Sequence, residues 1–431
     1  MIRKIYEGGS RIDFLEHLPS GLRVAYDDVP SVGTTAMAFF VAVGARDEKT
    51  TEWGMAHFLE HLVFKGAGLC NFREIARQMD RLGSEMNAFT TREYTCFYAK
   101  VLNGEAEAAY RLLCSLVREP WLKSQDIERE KNVVLEEIKE SLDDPDDVVD
   151  TLLGEALYAD TAYTHDILGT RASLLSITED TLRAFFSAYY HPQNMVFAVS
   201  GGAVSTLLDL VRQDFAGAVS PSPLPRERPF PKIQPVQKTL KASWEQVKVA
   251  LASPAPGTYS PHYAALWMMT SLLGGQNTSR LWQRLREEKG LVYVVSTHYA
   301  AESDFGEITT HLGLGADRLK EALTTTQEEI TELISNGPDT DELERTRIFL
   351  ETVLVMNLET PDARVMRLGR YALDGRVPTA MKTFREQFLS VTASDIQREA
   401  MRLADASQLA RVLAGGLPPS PPDVEALWKG I

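Results

Sequence analysis

The chain has 431 residues, 44% hydrophobic and 24% charged, with 60 Asp and Glu against 45 Lys and Arg, a formal charge of −15. Its length suits several domains of about 100–200 residues, and its composition excludes a disordered or collagen-like chain. The acidic balance argues against nucleic acid and anionic membrane surfaces as partners.

No apolar run reaches the roughly 18–20 residues of a membrane span, and the N-terminus has no apolar core of signal-peptide type. Cys70, Cys96 and Cys114 are too few for a disulfide framework and suit a reducing cytosol.

In chain order, GLRVAYDD and TTAMAFFVAVGARDE predict two neighbouring strands, the second apolar on both faces and therefore buried. GMAHFLEHLVFKG predicts a helix. Asn71 with Glu74 three residues on predicts a capped helix start, with Phe72, Ile75, Met79 and Leu82 as its apolar stripe and Gly83 as its end. The alternating, β-branched and aromatic stretch SEMNAFTTREYTCFYAKVL predicts strand, and Ser124 to about Leu142 a long helix with acid in its first turn.

Six prolines between Pro221 and Pro235 cannot sit in a helix and predict an extended linker. The expected division is therefore a domain over 1–220, a linker over 221–238 and a domain over 239–431. A second proline run, Leu417 to Pro422, is expected to close that domain before a short tail.

Ile127-Glu-Arg129 matches Leu343-Glu-Arg345 and Asp144-Pro-Asp146 matches Thr360-Pro-Asp362, both at an offset of 216 residues, which points to a duplicated domain. The expected fold is α+β: two homologous domains, each an antiparallel-rich mixed sheet with helices packed on it. At the same offset Glu130 becomes Thr346 and Glu137 becomes Val353, and the second half has no counterpart of His57-Phe-Leu-Glu-His61. One catalytic and one supporting domain would show this asymmetry.

His57-Phe58-Leu59-Glu60-His61 carries the chemistry. Residues four apart on a helix share a face, so two imidazoles can hold one ion. Glu60 also faces that side and could take a proton from a water acidified by the ion. This is the inverted form, HxxEH, of the zinc-peptidase motif. Asp13-Phe-Leu-Glu-His17 nearly repeats the letters, but Pro19 leaves no room for a two-turn helix, so it reads as structural. A catalytic zinc wants a third ligand, and the candidate stretch is Glu128 to Glu137, where Glu130 and Glu137 share a helical face and Glu136 turns toward solvent, although any one glutamate on this acidic helix reads by itself as a solvated face. Further on, the run from Gly274 to Tyr293 reads by itself as an amphipathic helix packing Leu281, Trp282 and Leu285. Its Gly274-Gly275 lacks phosphate-loop spacing.

HFLEHLVFKG, the segment Gly83 to Thr90 with Glu93-Tyr94-Thr95, Glu130 to Glu137, and Gly274 to Tyr293 together resemble the pitrilysin/insulinase family of zinc peptidases. Within it they are most like the mitochondrial processing peptidase β-subunit and two-domain bacterial members. The resemblance implies one Zn²⁺ per chain on His57, His61 and Glu137, Glu60 as general base, and Glu130 as a supporting acid near the metal. It also implies peptide substrates, laid along the strand of Asn87 by backbone hydrogen bonds and held near the scissile bond by Arg286 and Tyr293. The expected assembly is a homodimer enclosing a chamber, each copy's Arg286 and Tyr293 facing the other's zinc, or else a heterodimer with a homologous chain. The alternative is a non-catalytic peptide-binding or structural subunit, and degenerate relatives of that kind lose a ligand or the base.

Overall fold

A computed structural model describes residues 3–4, 14–159, 161–218, 228–376, 378 and 381–428. The fold is α+β, with two large sheets on which helices pack, divided between two compact units.

The first unit gathers residues 1–138, 166–228 and 354–383. The strands of its seven-stranded sheet lie in the order Arg3–Lys4, Phe14–His17, Arg23–Asp28, Met195–Gly201, Thr34–Val41, Thr95–Leu102, Glu85–Thr90. Only Arg23–Asp28 and Met195–Gly201 run parallel. Thr34–Val41 is buried almost throughout because helices cover both faces. On one face Phe39 meets Phe97, Phe197 and Tyr110 of the helix Ala106–Arg118. On the other, Phe40, Cys96 and Ala198 meet Val365, Leu368 and Ala372 of the helix Pro361–Leu373. Gly369 lets that helix lie close, since a Cβ there would run into the Phe40 ring. Arg23 donates to the helix-end carbonyls of Ala372 and Leu373 at 2.8 and 2.6 Å, and Lys100 pairs with Asp362 at 3.0 Å.

Three expectations change here. Arg23–Asp28 and Thr34–Val41, expected as neighbours, are separated by Met195–Gly201, which pairs with both. The stretch from Ser84 to Leu102 is a hairpin rather than one strand, because the Thr91 hydroxyl accepts from the backbone N–H groups of Glu93 and Tyr94 and turns the chain. That turn leaves Glu85–Thr90 at the sheet edge. Phe72, assigned to an apolar stripe, is exposed, while Ile75 and Leu82 are buried. The capping box at Asn71 and the left-handed Gly83 end form as expected. Phe14–His17 of the near-repeat is a strand, and Asp13 lies outside the described residues.

The second unit gathers residues 139–165, 229–353 and 384–431. Its strands lie in the order Gln237–Lys241, Ala410–Gly415, Val247–Pro256, Phe305–Leu314, Val292–Ala301, again with only the first pair parallel. This repeats the first sheet from Arg23–Asp28 onward, strand for strand, as a duplicated domain requires. The helix Pro145–Leu157 packs on this second sheet through Val149, Leu153 and Ala156 against Ala250, Val412 and Ala414.

Each half therefore gives one helix to the other half's sheet, 145–157 going forward and 361–373, 216 residues later, going back. Both begin alike, with Asp144 or Thr360 accepting from backbone N–H groups and proline at the first turn. The compact units thus interleave along the chain, where the sequence suggested two contiguous domains. Residues 221–227 of the proline-rich stretch lie outside the described residues, and 228–236 contain no helix. After the second proline run, Val424–Trp428 is a helix whose Trp428 is buried and donates to the Leu403 carbonyl at 3.0 Å, so this segment belongs to the second unit rather than forming a short tail beyond it.

Candidate metal centre

The centre lies in the first unit, on two helices. The helix Met55–Val63 starts at Gly54, whose φ of 84° suits glycine. The buried Glu48 carboxylate accepts from the Gly54 and Ala56 N–H groups at 2.8 and 2.7 Å, capping this helix with an anion. One turn apart on it, the His57 and His61 rings have centroids 4.6 Å apart. The helix Ser124–Asp143 brings Glu137 to them, Oε2 3.9 Å from His57 Nε2 and Oε1 3.7 Å from His61 Nε2. Ligand atoms of all three lie within 4.8 Å of one another, and no other such trio of His, Cys, Asp or Glu occurs among the described residues.

A tetrahedral zinc with bonds of about 2.1 Å separates its ligand atoms by about 3.4 Å, and two imidazoles with one carboxylate are a common catalytic donor set. The trio fits that ion in spacing and chemistry. Burial, and then the neighbouring His61, pull the His57 imidazole down to about 4, so it is neutral near pH 7, as a ligand must be. Burial opposes charge on His61 too, but its hydrogen bond with Glu130 and the carboxylates around it outweigh burial and raise it.

Glu60 turns its carboxylate to Thr90, whose hydroxyl donates to Oε2 at 2.7 Å from the end of the edge strand. Burial raises Glu60, against the pull of Thr90 and His61. Glu130 is no member of the trio: its Oε1 is 2.9 Å from His61 Nδ1 and its Oε2 2.7 Å from Lys65 Nζ, and these two bonds outweigh burial and lower it. Glu136 is exposed. Asn87 is exposed on the edge strand, its side-chain oxygen accepting from the Ala88 N–H at 2.9 Å.

The turn beyond Thr90 is clamped. Arg228, in the middle of the proline-rich stretch, binds Asp47 with two nitrogens at 2.8 and 2.7 Å and the Glu93 carbonyl at 2.7 Å, while Arg46 binds the Glu93 carboxylate at 2.6 Å. Thr90, Lys65, Glu48 and this clamp had no assigned role from sequence. Only Lys65 carried a local signal, four residues after His61.

Arg286 and Tyr293 belong to the second unit. The segment read as an amphipathic helix is π-helical over Trp282–Glu288, with Leu281 and Leu285 buried and the Arg286 guanidinium 4.1 Å from the Trp282 ring centroid. Gly290 turns the chain at φ 58°, and a bulge between Val292 and Val294 leaves Tyr293 61% exposed. Such irregularities re-aim side chains and often mark functional segments.

Residues 23–171 match the insulinase family, peptidase family M16, and residues 176–350 match the peptidase M16 inactive domain. A Bacillus subtilis protein described as an uncharacterized zinc protease is 33% identical over 354 residues, covering 82% of this chain and 86% of that one. An uncharacterized zinc protease of Mycobacterium tuberculosis is 32% identical over 405 residues, 92% of each chain. Among solved structures, a protease from Helicobacter pylori overlays with a TM-score of 0.87 at 21% identity, covering 94% of this chain and 99% of the other. A Pseudomonas fluorescens structure described as a peptidase M16 inactive domain overlays with a TM-score of 0.86 at 20% identity, covering 95% and 99%, and the two establish a shared fold. Sequence identity sustained over most of both chains, together with two successive family matches, makes this chain a member of peptidase family M16.

Proposed function

We propose that the chain is a zinc-dependent endopeptidase acting on short or unfolded peptides. The observation that carries this reading is the convergence of His57, His61 and Glu137 beside the Glu60 carboxylate. Bound there, zinc would polarise the scissile carbonyl and acidify water. Glu60 takes the proton from the attacking water and delivers it to the leaving amine, with Thr90 fixing which oxygen is free to do so. A peptide adds alongside Glu85–Thr90 by backbone hydrogen bonds, which grip with little sequence preference. Arg286 and Tyr293 donate to the substrate backbone or to the oxyanion.

The working form is a homodimer in which one copy's Arg286 and Tyr293 serve the other copy's metal centre. Supporting this, each chain carries the ligand trio in its first unit and the Arg–Tyr pair in its second. The rival role, a non-catalytic peptide-binding subunit, draws on the inactive-domain match, which begins after the metal trio, and on the Pseudomonas fluorescens structure so described, which at 20% identity shares the fold. Zinc analysis with a quenched-fluorescence peptide assay tests the reading. One zinc per chain and cleavage abolished by Glu60→Gln are expected; a zinc-free or inactive wild type overturns it.

A further inference from the structure

Glu130 is gripped by both of its oxygens. Its side chain is 5% exposed, with Oε1 2.9 Å from His61 Nδ1 and Oε2 2.7 Å from Lys65 Nζ. His61 and Lys65 are four residues apart, and the Lys65 N–H donates to the Leu62 carbonyl at 3.0 Å, so the ammonium leaves the chain where the motif helix stops. One turn of chain thus holds one carboxylate of the neighbouring helix at two points. Glu137 sits two turns along that helix on the same face. Whatever fixes Glu130 therefore also sets how far along the helix Glu137 meets the two histidines.

We propose that Lys65 is a positioning residue of the metal centre, turning Glu130 so that it accepts from His61 Nδ1–H and leaves the His61 Nε2 lone pair aimed toward Glu137. A histidine ligand whose far nitrogen donates to a carboxylate is held in one tautomer and one ring orientation, and loss of such support costs about 10–100-fold in metal affinity. An ordinary surface ion pair would instead add a little stability and leave metal affinity alone. The proposal rests on the zinc reading of the site.

The test measures zinc dissociation constants by chelator competition for wild type, Lys65→Met, Lys65→Arg, Glu130→Gln and the double variant Lys65→Met/Glu130→Gln. Zinc-free thermal melts show that each is folded. Lys65→Met is expected to weaken zinc by about 10–100-fold, and Lys65→Arg to keep it within a few-fold. The double variant should bind about as weakly as Glu130→Gln alone, because Lys65 acts through Glu130. Wild-type affinity in Lys65→Met, multiplying losses in the double variant, or a Lys65→Arg variant as weak as Lys65→Met overturns the proposal while the zinc reading stands. A wild type that binds no zinc overturns both.

Discussion

Glu60 and His61 adjoin in the chain but face different partners, Thr90 for one and Glu130 with Glu137 for the other. Ligation and proton transfer should therefore separate by mutation. His57→Ala and His61→Ala should each abolish stoichiometric zinc, read by metal analysis of the purified protein; unchanged content in either would discard that ligand. Glu60→Gln keeps shape and leaves all three ligands, so zinc should remain while turnover falls by roughly 100-fold or more. Near-normal turnover would make another group the base. The pairing of His57 with His61 was legible in the sequence because helical spacing is local. Glu137 lies 76 positions beyond His61, so its place followed only from the family resemblance. Thr90 and Lys65 act through contacts between elements, which spacing does not encode.

At the scale of elements, the helix capped by Asn71 and ended by Gly83 was legible at both ends, while the hairpin turn, built on a threonine hydroxyl without Gly, Pro or Asn, was not. A π-helix leaves no periodic trace in seven residues. Two elements lend themselves to tests. In the helix Ala393–Ala404, the Thr392 hydroxyl and backbone N–H bonds, with Arg398, hold Asp395 down at about 2. A depressed carboxylate stabilises the fold above its unfolded value of about 3.9, and that contribution fades as pH falls toward 2. Urea unfolding should show Asp395→Asn less stable than wild type at pH 6, with the gap narrowing at pH 3; a constant gap would remove the ionic contribution. On the helix Pro361–Leu373, Gly369→Val forces side-chain atoms into Phe40, so unfolding at pH 7 should show a loss of about 1–3 kcal/mol. No loss would mean that the helix does not lie tightly on its sheet.

For the whole molecule, the metal trio in one unit and the Arg–Tyr pair in the other predict complementation between copies. In the proposed homodimer, Glu60→Gln and Arg286→Ala variants should each be impaired, and co-expression should restore roughly a quarter of wild-type activity, since about half of such dimers would be mixed and each of those would have one complete site of two. No recovery, with both variants folded and zinc-loaded, would place Arg286 within its own chain's reaction or outside it. The duplication was visible at the 216-residue offset, but periodicity shows only that a helix has an apolar face. It does not say which sheet that face will cover, so the exchange of helices stayed hidden. That exchange also governs how the protein is made. Chains leave the ribosome N-terminus first. The Phe40, Cys96 and Ala198 face of the first sheet must therefore wait for residues 361–373, translated after most of the second half. Until then the first sheet carries a bare apolar surface, a liability during synthesis. A chain truncated near residue 220 would keep it permanently, so the half that holds His57, His61 and Glu137 should be insoluble when expressed alone and recoverable when co-expressed with the remainder.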